Sequence, residues 1–321
     1  MSKLARFAWG LLAYDLAVVA WGAFVRASGS GAGCGRHWPM CNGEIVPRAP
    51  RIETLIELSH RLSSGVAFVL TVVLLVWALR AYPAGHRVRR GAGVSTALMA
   101  AEALIGAGLV LFELVAHDAS MKRALSMALH LGNTFLLLAA TAVTAWWASG
   151  GAAMKLRGQR AVVAVLALPL GGMLAVGASG AVTALGDTLF PAHSLAAGLV
   201  QDFAPGAHLF VRLRAIHPVL AVATAAAIVV TTGLVRVLRP TRAVRLLSRA
   251  AGALAVAQVA AGLLDVVTRA PVALQLVHLL LADLVWIALV LTGVAALGEE
   301  ESTTTAAPTP TATATPTSTP T

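Results

Sequence analysis

The sequence predicts an all-α integral membrane protein whose eight transmembrane helices form two parallel, pseudo-symmetric four-helix bundles. Three observations predict it. First, 58% of the 321 residues are hydrophobic and only 12% are charged. Soluble chains carry about 25% charged residues, so lipid must cover most of this surface. Second, eight apolar stretches are long enough to cross ~30 Å of hydrocarbon, which takes roughly 20 residues each. Third, the chain repeats itself at a long interval. The net charge of +10 does not imply a nucleic-acid partner, because the basic residues fall between the apolar stretches, where they set topology.

The spans run near residues 7–26, 56–80, 93–113, 122–148, 161–183, 211–237, 249–268 and 273–297. The first is longer than the apolar core of a secretory signal, roughly 7–15 residues, and reads as a retained helix. With the N-terminus inside, the short inner segments hold Lys3 and Arg6; Arg80, Arg87, Arg89 and Arg90; Lys155, Arg157 and Arg160; and Arg236, Arg239, Arg242, Arg245 and Arg249. The outer segments mix basic residues with Glu44, Glu53, Glu57, Glu113, Asp118, Asp187 and Asp202. The positive-inside rule then puts both termini in the cytoplasm and the protein in the cell membrane. Residues 1–150 and 151–298 make the two halves, and 299–321, almost wholly Thr, Pro and Ala from Ser302, form an expected disordered cytoplasmic tail.

Glu102-Ala-Leu-Ile-Gly106 in the third span resembles Gln258-Val-Ala-Ala-Gly262 in the seventh, 156 positions later. His60 and His217 are 157 apart, and His130 and His278 are 148 apart. Four spans is an even number, so both halves enter the membrane from the same side, and the repeat axis lies along the membrane normal. The four histidines sit in the second, fourth, sixth and eighth spans, all running from outside to inside. Each lies about five to eight residues into its span, roughly 7–12 Å deep at ~1.5 Å per residue.

Ionisable groups inside spans are costly and mark function. A single membrane histidine is most simply an interhelical hydrogen-bonding group. Four at one depth in matched repeat positions fit bis-histidine heme ligation, which needs two imidazoles facing each other across a largely apolar ring. Zinc fits less well, since it needs donors converging on one point. His86 in an inner loop, and His37, His117, His193 and His208 in outer segments, are expected to be solvated loop side chains.

The halves are not chemically equal. Three residues before the first histidine of each half, on the same helical face, stand Glu57 and Arg214. Glu57 is a candidate base, or a stabiliser of positive charge developing during an oxidation. Arg214 is a candidate bidentate contact for a heme propionate, and Arg61 a second. Both Glu57 and Arg214 read equally as interfacial charges. The asymmetry implies one reactive site and one site for a fixed electron-transfer heme. The outer loop over 27–55 is rich in Gly and Pro and holds both cysteines, Cys34 and Cys41. Outside the membrane is oxidising, so a disulfide between them is expected, as a redox device or as a structural staple.

Taken together, Gly22-Ala-Phe-Val-Arg26, Ser28-Gly-Ser-Gly-Ala-Gly-Cys34, His37-Trp-Pro-Met-Cys41-Asn-Gly43, Glu57-Leu-Ser-His60-Arg61, Leu129-His130, Ile216-His217-Pro218 and Val277-His278 resemble the heme A synthase family over residues 22 to 278. The resemblance implies oxidation of the C8 methyl group of heme O to a formyl group, giving heme A for terminal oxidases. It implies two successive hydroxylations that take oxygen from water, and a gem-diol that dehydrates. It further implies substrate heme O between His60 and His130, a resident heme b between His217 and His278, and Glu57 as the essential acid. Some family members carry a second cysteine pair in the outer loop of the second half. Here that loop, from Leu185 through His193 and onward, has none, so a mechanism needing two disulfides does not transfer.

Two other function classes share parts of this pattern. A diheme cytochrome b that only passes electrons has the four histidines but no use for Glu57. A transporter or channel has the apolar bundle but no reason for matched histidines. The expected partners are heme O, membrane lipid, a heme O synthase and, with the oligomeric state open, a second copy of the chain. Asp15, Glu102 and Asp283, all inside spans, have no assigned role at this level; proton relay and interhelical hydrogen bonding both fit.

Overall fold

The computed structural model describes residues 1–298; the tail expected over 299–321 lies outside the described residues. The helices are α1 (Lys3–Ala27), α2 (Ile52–Ala81), α3 (Arg87–Leu111), α4 (Met121–Ala148), α5 (Arg160–Leu189), α6 (Leu195–Phe203), α7 (Leu209–Leu238), α8 (Arg242–Val267) and α9 (Val272–Ala296). All except α6 are long and apolar enough to cross a membrane, and there is no strand among the described residues. The chain is therefore a multi-pass, all-helical membrane protein.

The helices outlast the apolar stretches that predict them. α3 and α8 begin at Arg87 and Arg242, ahead of the expected starts at 93 and 249, so basic residues assigned to inner loops ride on helix ends. A 30-residue helix such as α2 is about 45 Å long at ~1.5 Å per residue, enough to carry its polar ends through the headgroups. α6 is an addition. It has nine residues, too few to span, and Ser194 caps it by accepting a hydrogen bond from the Ala197 amide at 3.1 Å. His86 and His208 also differ from expectation. Each caps a helix, accepting from the Val88 amide at 3.2 Å and the Phe210 amide at 3.3 Å.

In the first half α1 packs on α2 and α4, and α3 packs on α2 and α4. In the second half α5 packs on α7 and α9, and α8 packs on α7 and α9. The same four neighbour relations recur in the second half. Contacts α4–α5, α1–α9 and α4–α9 join the halves. Lipid is as apolar as leucine, so association depends on close packing of small residues. Ala5, Ala8, Ala78, Ala92, Ala145 and Ala148 supply it among α1 to α4. The largest cluster lies on the seam: Phe135 and Leu138 of α4 meet Val285, Trp286 and Leu289 of α9. The Trp286 indole stacks on Phe135 at 5.2 Å between ring centroids and donates to the Phe135 carbonyl at 2.6 Å. Proline inside α5 is accommodated in the same way. Pro169 has no N–H for the Val165 carbonyl, which instead accepts from the Thr231 hydroxyl of α7 at 3.3 Å.

Candidate functional site

The four histidines lie on α2, α4, α7 and α9, six to nine residues from the outer helix starts, and all four are half-buried. His60 lies within electrostatic reach of His130, and His217 within reach of His278. Each ring is seated against a glycine of the helix beside it. A Cβ built on Gly22 of α1 would stand 2.8 Å from His60 Cε1, and one on Gly180 of α5 would stand 3.0 Å from His217 Cε1. The corresponding distances are 3.9 Å for Gly106 of α3 against His130 and 2.9 Å for Gly262 of α8 against His278. Absence of the methyl group lets an imidazole lie close to a neighbouring backbone. Three of these glycines fall within the motifs read from the sequence; Gly180 does not.

The buried Nδ1 atoms of His60 and His278 have no hydrogen-bond partner, while His217 Nδ1 is 2.9 Å from the Ser179 hydroxyl. An unpartnered ring nitrogen in a dry bundle is destabilising unless a ligand or metal takes it. Two imidazoles per half, each against a glycine without a side chain and three of the four with an unpartnered buried Nδ1, fit the ligands of a ring held from two sides. Among the described residues, no three or more His, Cys, Asp or Glu side chains are placed to hold a metal ion, as a zinc site would require.

Above His60 the outer loop is folded onto the top of α2. The expected Cys34–Cys41 disulfide is present. Cys41 and Glu44 exchange backbone hydrogen bonds across a two-residue turn at Asn42-Gly43, both with positive φ, as such a hairpin turn requires. Gly33 lies against the α2 backbone, where a Cβ would meet the Glu53 carbonyl oxygen at 2.4 Å. The Thr54 hydroxyl donates to the Gly33 carbonyl at 2.7 Å.

Glu57 is buried under this loop. Its Oε2 accepts from the Cys34 amide at 2.8 Å, and its Oε1 accepts from Arg61 Nε at 3.1 Å and Nη2 at 2.5 Å. The third Arg61 guanidinium nitrogen, Nη1, donates to the His37 and Met40 carbonyls at 2.6 and 2.8 Å. Glu57 and Arg61 thus form a charge-assisted clamp that holds the loop over the first-half histidines.

At the equivalent place in the second half, Arg214 is surrounded by acceptors. Nε and Nη2 donate to Asp202 at 2.9 and 2.6 Å, Nη1 to Asp187 at 3.3 Å and the Phe190 carbonyl at 3.2 Å, and Nη2 also to Gln201 at 3.0 Å. All five guanidinium donors have protein partners, so a propionate reaching Arg214 has to displace one. Asp202 and Gln201 belong to α6, which Arg214 ties to the top of α7. Arg26, at the end of α1, crosses between halves and donates to the Ala184 carbonyl, Thr188 and Gln275 at 2.9, 2.8 and 2.9 Å. The sequence placed Arg26 in a motif without giving it this bridging role.

The profile of the cytochrome oxidase assembly protein family, COX15-CtaA, matches residues 5–290. A Thermus thermophilus protein named protoheme IX farnesyltransferase is 51% identical over 296 residues, which cover 92% of this chain and 49% of that one. Proteins named heme A synthase match shorter stretches. That of Alkalihalophilus pseudofirmus is 37% identical over 125 residues, 39% of each chain, and that of Bacillus mycoides is 43% identical over 97 residues, 30% of this chain and 31% of the relative. The chain spans about half the length of the Thermus relatives that it matches.

Proposed function

The chain belongs to the cytochrome oxidase assembly protein family, and on that premise we propose that it is a heme A synthase, an oxidoreductase that converts the C8 methyl group of heme O to a formyl group. What supports this reading is the placement of His60, His130, His217 and His278 at similar distances from their helix starts, each against a glycine of a neighbouring helix, inside one family-matched span. Substrate heme O sits between His60 and His130. Heme b sits between His217 and His278 and, when bound, supplies one-electron transfer.

Converting methyl to formyl consumes one net water and releases four protons and four electrons, in two hydroxylations and a dehydration, and an electron acceptor outside the chain must take up the electrons. Glu57 is the essential acid. Its carboxylate, paired with Arg61, offsets positive charge developing at the reacting carbon and accepts a proton as the clamp shifts. The disulfide loop closes this site from the outer aqueous side. The basic short segments support an orientation with both termini on the cytoplasmic side of the cell membrane. The two four-helix halves divide the work, 1–150 for substrate and 151–298 for electron transfer.

The name of the Thermus relatives bears on the partner. Farnesylation of protoheme yields a farnesylated heme, the substrate class that this reaction consumes, and those chains are about twice as long as the stretch matched here. A heme O synthase is thus the partner that supplies the first-half site. The test is expression with and without a heme O synthase in cells that make neither heme O nor heme A, followed by heme extraction and mass analysis. The expected result is heme A only with the synthase present. Heme O made by this chain alone would assign it the farnesyl transfer instead. Protoheme alone under both conditions would leave a diheme electron carrier.

A further inference from the structure

The surroundings of His130 and His278 differ in charge as well. In the first half, Glu102 of α3 reaches His130, with Oε1 3.3 Å from Nδ1. The contact falls outside hydrogen-bond geometry in this structure. Two side chains one helical turn below His130 on α4 hold the carboxylate. The Asn133 amide donates to Oε2 at 2.5 Å and the Thr134 hydroxyl to Oε1 at 2.5 Å. Asn133 is itself fixed by the Leu98 carbonyl at 3.0 Å.

Shifted by the interval between the two histidines, Asn133 and Thr134 become Leu281 and Ala282, and Glu102 corresponds to Gln258. Gln258 does reach its histidine, with its amide 3.2 Å from His278 Nε2, but it carries no charge. The second half therefore lacks the anion and both groups that hold it.

We propose that Glu102 is a positioning residue for the first-half site. It takes the Nδ1–H of His130, leaves Nε2 as the nitrogen facing the ring, and makes this imidazole a stronger donor than His278. A carboxylate behind a ligating histidine fixes the tautomer and raises ligand basicity. A more basic axial ligand favours ferric over ferrous iron, so a heme on His130 has a lower potential than the same heme with a neutral partner. The carboxylate would otherwise be an expensive group within a span. Asn133 and Thr134 let it stay charged and aimed. This role rests on the assignment of His60 and His130 as heme ligands.

The test uses the full-length protein in detergent, with hemin as the probe. The first-half signal is defined as the part lost in His130→Ala, and the second-half heme serves as the internal control. Glu102→Gln is expected to weaken first-half hemin binding by about 10- to 100-fold and to move its midpoint potential positive, with the second-half heme unchanged. Asn133→Leu with Thr134→Ala, which copies the second half, is expected to shift both readouts in the same direction by less. It also decides the matter if Glu102→Gln fails to keep its second-half heme. Unchanged affinity and potential beside an intact second-half heme would overturn the role of Glu102. A wild-type protein with no hemin signal sensitive to His130→Ala would overturn the ligand assignment itself, a result seen without any Glu102 variant.

Discussion

The two outer segments of the molecule are fastened by ion pairs of opposite polarity. Over the first half the helix contributes the acid: Glu57 of α2 accepts from the loop amide of Cys34 and from Arg61, and Arg61 in turn holds the loop carbonyls of His37 and Met40. Over the second half the helix contributes the base: Arg214 of α7 donates to Asp202 and Gln201 of α6 and to Asp187 of α5. The first segment has a disulfide, and the second has a short helix in its place. The difference teaches that the helical frame fixes where a charge stands relative to the histidine, three residues ahead, and leaves its sign free. The covering segment need only supply the complement. One frame can thus hold a carboxylate beside one pair of histidines and a guanidinium beside the other.

The largest expected effect tests whether the second pair is a ligand pair at all. His217→Ala or His278→Ala should abolish the low-spin heme b spectrum, because six-coordination needs both nitrogens. A full, unshifted spectrum in His278→Ala would remove the basis for treating the halves as two heme sites.

Next comes the polarity of the clamps. Glu57→Gln keeps the size and an acceptor but loses the charge. Heme A formation should fall by about 10²–10⁴ with heme b retained, and heme O or its hydroxymethyl form should accumulate. Arg214→Gln should instead loosen α6 and weaken heme b retention, with oxidation at the first half less affected. Extracted hemes and absorbance spectra of the two variants read both effects. Equal behaviour would mean that the polarity difference carries no division of labour.

A graded set follows from the glycines. Alanine at Gly22, Gly262 or Gly180 puts a methyl group 2.8, 2.9 or 3.0 Å from an imidazole carbon, whereas at Gly106 the nearest ring atom is 3.9 Å away. The first three should each destabilise by roughly 1–3 kcal/mol through overpacking and broaden or shift the heme bands of their own half. Gly106→Ala should be close to neutral. Thermal loss of the Soret signal gives the order, and a large effect at Gly106 would contradict it.

The effect most confined in space, and the smallest on the heme sites, is expected from the cystine. Alkylation without reductant should label neither Cys34 nor Cys41. Replacing both by alanine should cost about 2–3 kcal/mol of local loop stability, as closure of so short a loop predicts. Faster proteolysis should be confined to the first outer loop, since no cysteine lies in the second.

Much of this organisation is legible in the residues alone. Hydropathy gives the eight long helices, because a span must be apolar over nearly its whole length. The repeat gives the similar depth of the four histidines, because similar offsets from the starts of helices running the same way place them at similar heights. What it does not give are features that rest on few residues or on contacts between distant ones. α6 is too short for any periodicity to stand out. The helix starts at Arg87 and Arg242 are hidden because hydropathy reports burial in lipid, whereas the helix continues into the headgroups. Glu102 was visible as an unexplained charge, and its repeat partner Gln258 was visible too. The link to Asn133 and Thr134 needs the packing of α3 on α4. His86 and His208 look like loop histidines because capping depends on one backbone angle, which composition does not encode.

The α4–α9 seam has a consequence for how the protein is made. Every helix of the first histidine pair lies between Lys3 and Ala148, so that half can close as soon as it leaves the ribosome. The surface of α4 around Phe135, however, waits for Trp286, whose helix begins only at Val272. At about 5–20 residues per second, α4 stands with this face against lipid or an insertion chaperone for on the order of ten seconds. The most deeply buried helix of the molecule is thus the last of the described helices to be synthesised. Until it arrives, the two halves meet through α4 and α5 and through the Arg26 bridge from α1 to α5.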